Sequence, residues 1–194
     1  MHMARKYEFK PDKPTSGLLS KLFLTQQQHK VLLKWVLYSL MLLFLSVLQD
    51  VILCRFRLFG ATTELVPCGI FLICFMDVLE QGSLFSLCAS CLYLFSGTAA
   101  GTYSIVFITG LSVIITYFRQ AFLRKGFSAA MLCTGFALLV YQLCVFGFGL
   151  FLSLTTFGRI FSHFLTALLT LAAAPALYPL LRVISTIGGE SWKE

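Results

Sequence analysis

Five polar side chains lie within, or at the ends of, the long apolar stretches of this 194-residue chain: Gln49, Asp50, Asp77, Glu80 and Gln142. Such groups are costly in lipid and normally face a cavity, another helix or the membrane boundary. The three acids lie near the ends of apolar stretches, so we expect them at the interface or in helix contacts. The two glutamines are expected to form hydrogen bonds between helices. Together, the five are the candidate helix-packing or partner-binding residues.

The other reactive residue types form no recognisable centre. Cys88 and Cys91 make a CxxC pair, but they lie in an apolar stretch without histidine or carboxylate neighbours, which favours close helix packing over redox or zinc chemistry. The three histidines, His2, His29 and His163, are far apart in the sequence. Because no nucleophile motif or glycine-rich phosphate loop accompanies them, the sequence predicts no enzymatic activity, no metal site and no cofactor.

The apolar stretches themselves predict an all-α integral membrane protein. Hydrophobic residues make up 58% of the chain and charged residues only 12%. Residues 81–118 form a run of 38 positions without a charge, and residues 126–158 form another of 33. Uncharged apolar runs of about 18 residues or more are typical of membrane-spanning helices.

The net charge of +7 is concentrated near the N-terminus, where seven of the fifteen basic residues precede or begin the first apolar stretch. This distribution indicates attraction to anionic lipid rather than nucleic-acid binding. We expect residues 1–30 to form a basic cytoplasmic tail, residues 31–184 a transmembrane domain and residues 185–194 a cytoplasmic C-terminal tail. Within the first tail, residues 17–25 are either an interfacial helix or unstructured, since Leu18, Leu19, Leu22 and Phe23 recur at helical spacing.

Six helical spans are predicted, at residues 31–53, 65–79, 83–96 and 105–118, and within 127–152 and 160–181. Lys34 is expected to extend towards the membrane surface from the start of the first span. Residues 65–96 admit a second interpretation, as one continuous helix. That helix would be about 48 Å long, against a hydrocarbon core of about 30 Å, and would bury Asp77 and Glu80. A hairpin that reverses within residues 77–82 is therefore preferred.

The positions of the basic residues support six spans. With the N-terminus inside the cell, six spans place 12 of the 15 Lys and Arg residues in the cytoplasm and 3 outside. Five spans would place 8 inside and 7 outside, with almost no asymmetry. Because basic residues accumulate on the cytoplasmic side, six spans with both ends in the cytoplasm are expected.

With these segments laid out, most of residues 31–184 resembles the bacterial rod shape-determining protein MreD family. The family usually has an acid near the end of the third helix, where this chain has Leu94 and Phe95. The likeness rests on helix order and on a set of short segments: Leu48-Gln49, residues 60–67, Glu80-Gln81-Gly82, Tyr117-Phe118-Arg119, residues 141–147 (YQLCVFG) and residues 175–182 (PALYPLLR).

The resemblance implies a non-catalytic protein of the bacterial cell (cytoplasmic) membrane that regulates cell shape and lateral-wall peptidoglycan synthesis. It also implies partners: an MreC-type bitopic membrane protein and, through it, MreB filaments and peptidoglycan synthases. The alternative is the substrate-binding component of an energy-coupling-factor vitamin transporter, which has a similar size and helix number. Such components typically carry an Ala-xxx-Ala pattern in the first helix, where this chain has Ser39, Leu43 and Ser46.

Overall fold

A computed structural model describes residues 26–55, 60–97, 99–122 and 126–187. The predicted interfacial helix at residues 17–25 lies outside this part of the chain. The described residues form six α-helices and two short 3-10 turns, at Leu53–Arg55 and Phe157–Arg159. The helices are α1 (Gln26–Val51), α2 (Leu65–Met76), α3 (Leu79–Phe95), α4 (Tyr103–Phe122), α5 (Phe127–Phe151) and α6 (Ile160–Ile187). The predicted all-α membrane bundle is confirmed.

Four of these helices, α1, α4, α5 and α6, are long and apolar enough to cross a membrane. Large apolar side chains on them, such as Leu43, Ile114, Leu132 and Phe164, are exposed in the isolated chain. Because water does not tolerate apolar surface on this scale, these side chains face lipid. The chain is therefore a multi-pass membrane protein.

Helix α2 lies at the centre of the bundle, where it contacts all five other helices. Each of its twelve residues is buried. Its sequence, LVPCGIFLICFM, is apolar on every side, as is typical of a helix without a solvent-facing surface. At about 18 Å it is too short to cross the membrane. The second span, predicted at residues 65–79, is thus instead a shorter, enclosed helix.

Two glycines, Gly69 and Gly82, lie where α2 packs against its neighbours, and the contact at Gly69 is the tighter one. A Cβ atom at Gly69 would lie 3.0 Å from the side chains of both Leu42 and Leu45, so glycine lets α1 approach. A Cβ atom at Gly82 would lie 3.6 Å from the Cα atom of Cys74, so the start of α3 packs directly on the end of α2. These contacts fix α2 between its neighbours.

The chain reverses at Asp77 and Val78, whose extended backbone separates α2 from α3. The predicted hairpin is confirmed, with the break at the first two of the six residues proposed for it. Side-chain contacts show that α1 and α2 are antiparallel, as are α4 with α5 and α5 with α6, while α2 and α4 are parallel. Both ends of the described chain therefore lie on the same side of the bundle. The contacts are Lys34 with Asp77, Phe75 with Arg119, Tyr103 with Phe148 and Phe127 with Tyr178.

Candidate functional site

Polar side chains collect at the two ends of α2, where a helix has backbone groups without helical partners. We call the set at its C-terminal end, Lys34, Asp77, Thr116 and Arg119, the hinge cluster. The set at its N-terminal end is the loop cluster, and it consists of Gln49, Glu64, Gln142, His163 and Thr170. Helix α1 contributes to both clusters, α4 to the hinge cluster, and α5 and α6 to the loop cluster, and α2 connects the two.

An ion pair forms the centre of the hinge cluster. The Lys34 ammonium donates a hydrogen bond to Oδ1 of Asp77, and the two residues are 3% and 0% exposed. The Lys34 Nζ atom also lies 5.8 Å from the ring centroids of Trp35 and Tyr38, within range of a cation–π contact. The expectation that Lys34 extends to the membrane surface is therefore wrong, whereas Asp77 makes a helix contact, one of the two positions expected for it. Each charge is paired inside the bundle.

Helix α4 supplies the rest of the hinge cluster. A guanidinium nitrogen of Arg119 donates to the backbone oxygen of Phe75 at 2.7 Å. The Thr116 hydroxyl lies 3.1 Å from the backbone oxygen of Cys74 and 2.7 Å from that of Ser112. Because the C-terminal end of a helix carries a partial negative charge, a cation placed there is stabilising. Arg119 thus acts as a side-chain cap on α2.

The loop cluster satisfies the opposite end of α2. Glu64 precedes the helix and forms no side-chain cap. Instead, the Glu64 N–H donates to the Thr170 hydroxyl at 3.0 Å, and the Val66 N–H donates to Oε1 of Gln49 at 3.1 Å. Side chains from α6 and α1 therefore take the place of the missing cap.

A chain of hydrogen bonds continues from Glu64 towards α6. Gln142 hydrogen-bonds to the Glu64 carboxyl group, and its Oε1 atom lies 3.0 Å from Nδ1 of His163. Burial raises the pKa of Glu64 to about 7, and the hydrogen bond from Gln142 opposes that rise. One of the Glu64 carboxyl oxygens, Oε2, is buried without a hydrogen-bond partner among the described residues. A carboxyl group, an amide and an imidazole are thus connected in one line.

The structure places the five residues singled out from the sequence in different surroundings. Gln49 and Gln142 lie in the loop cluster and Asp77 in the hinge cluster. Glu80 is exposed at the start of α3, and Asp50 is half-buried near the end of α1. Sequence reasoning missed Glu64, His163, Thr116, Arg119 and Thr170 as members of these clusters.

The ion pair of the hinge cluster had a recognisable signal in the sequence. Lys34 and Asp77 are opposite charges in two consecutive apolar stretches, and such charges tend to pair. Among residues 26–55, 60–97, 99–122 and 126–187, no three or more His, Cys, Asp or Glu side chains are placed to hold a metal ion. The chain matches no model of a protein family, no curated protein and no solved structure.

A lateral groove of about 830 Å³ opens between α1 and α3. Its walls are largely apolar, and Val66 of α2 contributes to its lining. On α1 the lining runs from Leu32 to Ser46, a length of about 21 Å. The α3 wall includes Phe85, Cys88 and Ala89. The groove thus gives access to α2 from the side, between α1 and α3.

Proposed function

We propose that this chain is a non-catalytic membrane component of the bacterial cell-elongation machinery, in the bacterial cytoplasmic membrane. In this proposal, it binds the transmembrane helix of an MreC-type bitopic protein. Through that partner it acts on MreB filaments and peptidoglycan synthases, and so on cell shape and lateral-wall growth. The resemblance of residues 31–184 to the MreD family suggests this role, and the lateral groove is the observation that supports it best.

The groove suits a helix from another protein for two reasons. Its α1 wall is about 21 Å long, which is enough to contact most of a membrane-spanning helix. Small side chains in its lining, including Ser39, Ala89 and Cys88, allow close approach of a second helix. The polar groups of both clusters, by contrast, bond largely to one another within the bundle. Binding through helix packing is therefore a better fit to this geometry than catalysis.

The test is co-purification in mild detergent with the MreC-type protein of the same genome. Cys88→Trp places an indole in the groove, since Cys88 is exposed and lines it. Leu87→Trp is the matched control, because Leu87 is 49% exposed on the same helix but does not line the groove. We expect Cys88→Trp to lose the partner and Leu87→Trp to retain it. If both variants retain the partner, the groove is not its binding site.

The second candidate function is substrate capture for an energy-coupling-factor transporter. The loop cluster favours it, because an acid, an amide and an imidazole converge at one end of an apolar bundle, as polar groups do in small-molecule sites. This alternative predicts co-purification with ATP-binding cassette subunits. Recovery of an MreC-type protein without such subunits would exclude it.

A further inference from the structure

The loop cluster connects three elements through a single hydrogen-bonded chain. Glu64 belongs to the segment before α2, Gln142 to α5 and His163 to the first turn of α6. Gln142 is 3% exposed, whereas His163 is half-buried. A change at Glu64 can therefore reach the start of α6 through one buried amide.

The donors and acceptors in this chain have one consistent assignment when Glu64 is ionised. An amide oxygen can only accept and an amide nitrogen can only donate. Since Oε1 of Gln142 faces Nδ1 of His163 at 3.0 Å, the imidazole hydrogen lies on Nδ1. The amide nitrogen of Gln142 then donates to the Glu64 carboxylate. Every group between the two ends is satisfied.

Protonation of Glu64 disturbs that assignment. A proton on Oε2 would be buried without an acceptor among the described residues. A proton on the oxygen that faces Gln142 finds an acceptor only if the amide turns its oxygen towards Glu64. The amide nitrogen then faces His163 and needs a lone pair on Nδ1. The imidazole meets that need by carrying its hydrogen on Nε2 instead.

We propose that Glu64, Gln142 and His163 form a proton-linked switch, in which protonation of Glu64 rotates the Gln142 amide and moves the imidazole hydrogen of His163 from Nδ1 to Nε2. One proton enters from water and stays on Glu64. The imidazole releases the proton on Nδ1 and takes one on Nε2 through water, so its charge does not change. The switch is independent of the proposed partner.

Burial raises the pKa of Glu64 to about 7, which places its titration near neutral pH. The surrounding elements contribute titratable or charged groups that have to be separated from this titration. The phenols are those of Tyr141 on α5, Tyr93 on α3 and Tyr103 on α4. The other groups are the thiol of Cys68 in the first turn of α2, the carboxyl group of Asp50 and the guanidinium of Arg159.

The state of the switch affects the anchoring of α2. The Glu64 N–H is bonded to Thr170 of α6, and Phe146 of α5 packs against the His163 ring at 5.4 Å between centroids. Both contacts are on the α5–α6 pair. Protonation of Glu64 therefore alters the hydrogen bonding that holds the N-terminal end of α2 to these two helices.

Nitrogen NMR of histidine-labelled, full-length protein in lipid nanodiscs measures the tautomer directly. Across about pH 5 to about pH 9, we expect the major neutral tautomer of His163 to change from Nε2–H to Nδ1–H as Glu64 ionises. His163→Gln assigns the signal against His2 and His29. In Glu64→Gln, which has no carboxyl group at this site, the neutral tautomer should not change with pH. Glu80→Gln, at an exposed acid, is the matched control, and in it the neutral tautomer of His163 should change with pH as in wild type.

Two results would overturn the switch. One is a single neutral tautomer of His163 throughout the pH range in wild type. The other is an unchanged pH-dependent switch in Glu64→Gln. The first result needs no variant, so the proposal stays testable even if Glu64→Gln does not fold. Neither result depends on whether an MreC-type partner binds, so failure of the switch is distinguishable from failure of the proposed function.

Discussion

Removing only one of the two buried charges, that of Lys34 or that of Asp77, should destabilise the protein more than removing both. The two residues are 3% and 0% exposed. Asp77→Asn leaves an ammonium inside the bundle, and Lys34→Met leaves a carboxylate there. Breaking one partner of a buried ion pair typically costs about 3–5 kcal/mol of folding free energy. Replacing both partners with neutral residues is often close to neutral, so the double variant should lose less than either single variant.

Trp35 provides the assay, because its ring packs 5.1 Å from that of Phe85 and 5.9 Å from that of Tyr38, measured between centroids. The chain has two tryptophans, so Trp192→Phe leaves Trp35 as the only indole. Unfolding is followed by fluorescence as the fraction of sodium dodecyl sulfate in mixed micelles increases. Glu80→Gln, at an exposed acid, is the control and should change stability by less than about 0.5 kcal/mol. If the double variant loses as much folding free energy as the two single variants together, the pairing is refuted.

Three further predictions use the same unfolding assay. Arg119→Leu removes the cap on the Phe75 oxygen and should cost about 2–3 kcal/mol; no loss would mean that the cap contributes nothing. Gly69→Ala should cost about 1–3 kcal/mol because its new Cβ atom lies 3.0 Å from α1 side chains, whereas Gly110→Ala, with nothing within 4 Å, should cost nothing. Because burial raises the pKa of Glu64 from 4.5 to about 7, the folded state holds that proton more tightly than the unfolded state does. Stability should be greatest below pH 4.5 and fall by about 3 kcal/mol as pH rises from there to above 7; the same fall in Glu64→Gln would contradict this assignment.

The sequence was sufficient for the helix order but not for the position of α2. The hairpin at Asp77 could be predicted because one helix over residues 65–96 would be too long and would bury two acids. The enclosure of α2 depends on five other helices packing around it, which the order of segments does not specify. A uniformly apolar sequence is compatible with both lipid and a protein interior.

The clusters were predicted incompletely for a related reason. Gln49 and Gln142 could be singled out from the sequence because amide side chains are rare within long apolar runs. Threonine is common in membrane helices, so the sequence gives no signal for the roles of Thr116 and Thr170 at the ends of α2. Glu64 lies in a segment between apolar runs, where an acid is normally exposed. Its burial arises only because α5 and α6 extend past the N-terminal end of α2.

Labelling of a single cysteine at position 100 tests the central claim, that the chain reverses at Asp77 and forms six helices with both ends in the cytoplasm. The seven native cysteines are replaced, and Ala100, which is exposed between α3 and α4, becomes the only thiol. Intact cells are then treated with a maleimide that cannot cross the membrane. Six helices predict labelling in intact cells; labelling only after the cells are broken open would contradict the reversal at Asp77 and the orientation inferred from the basic residues.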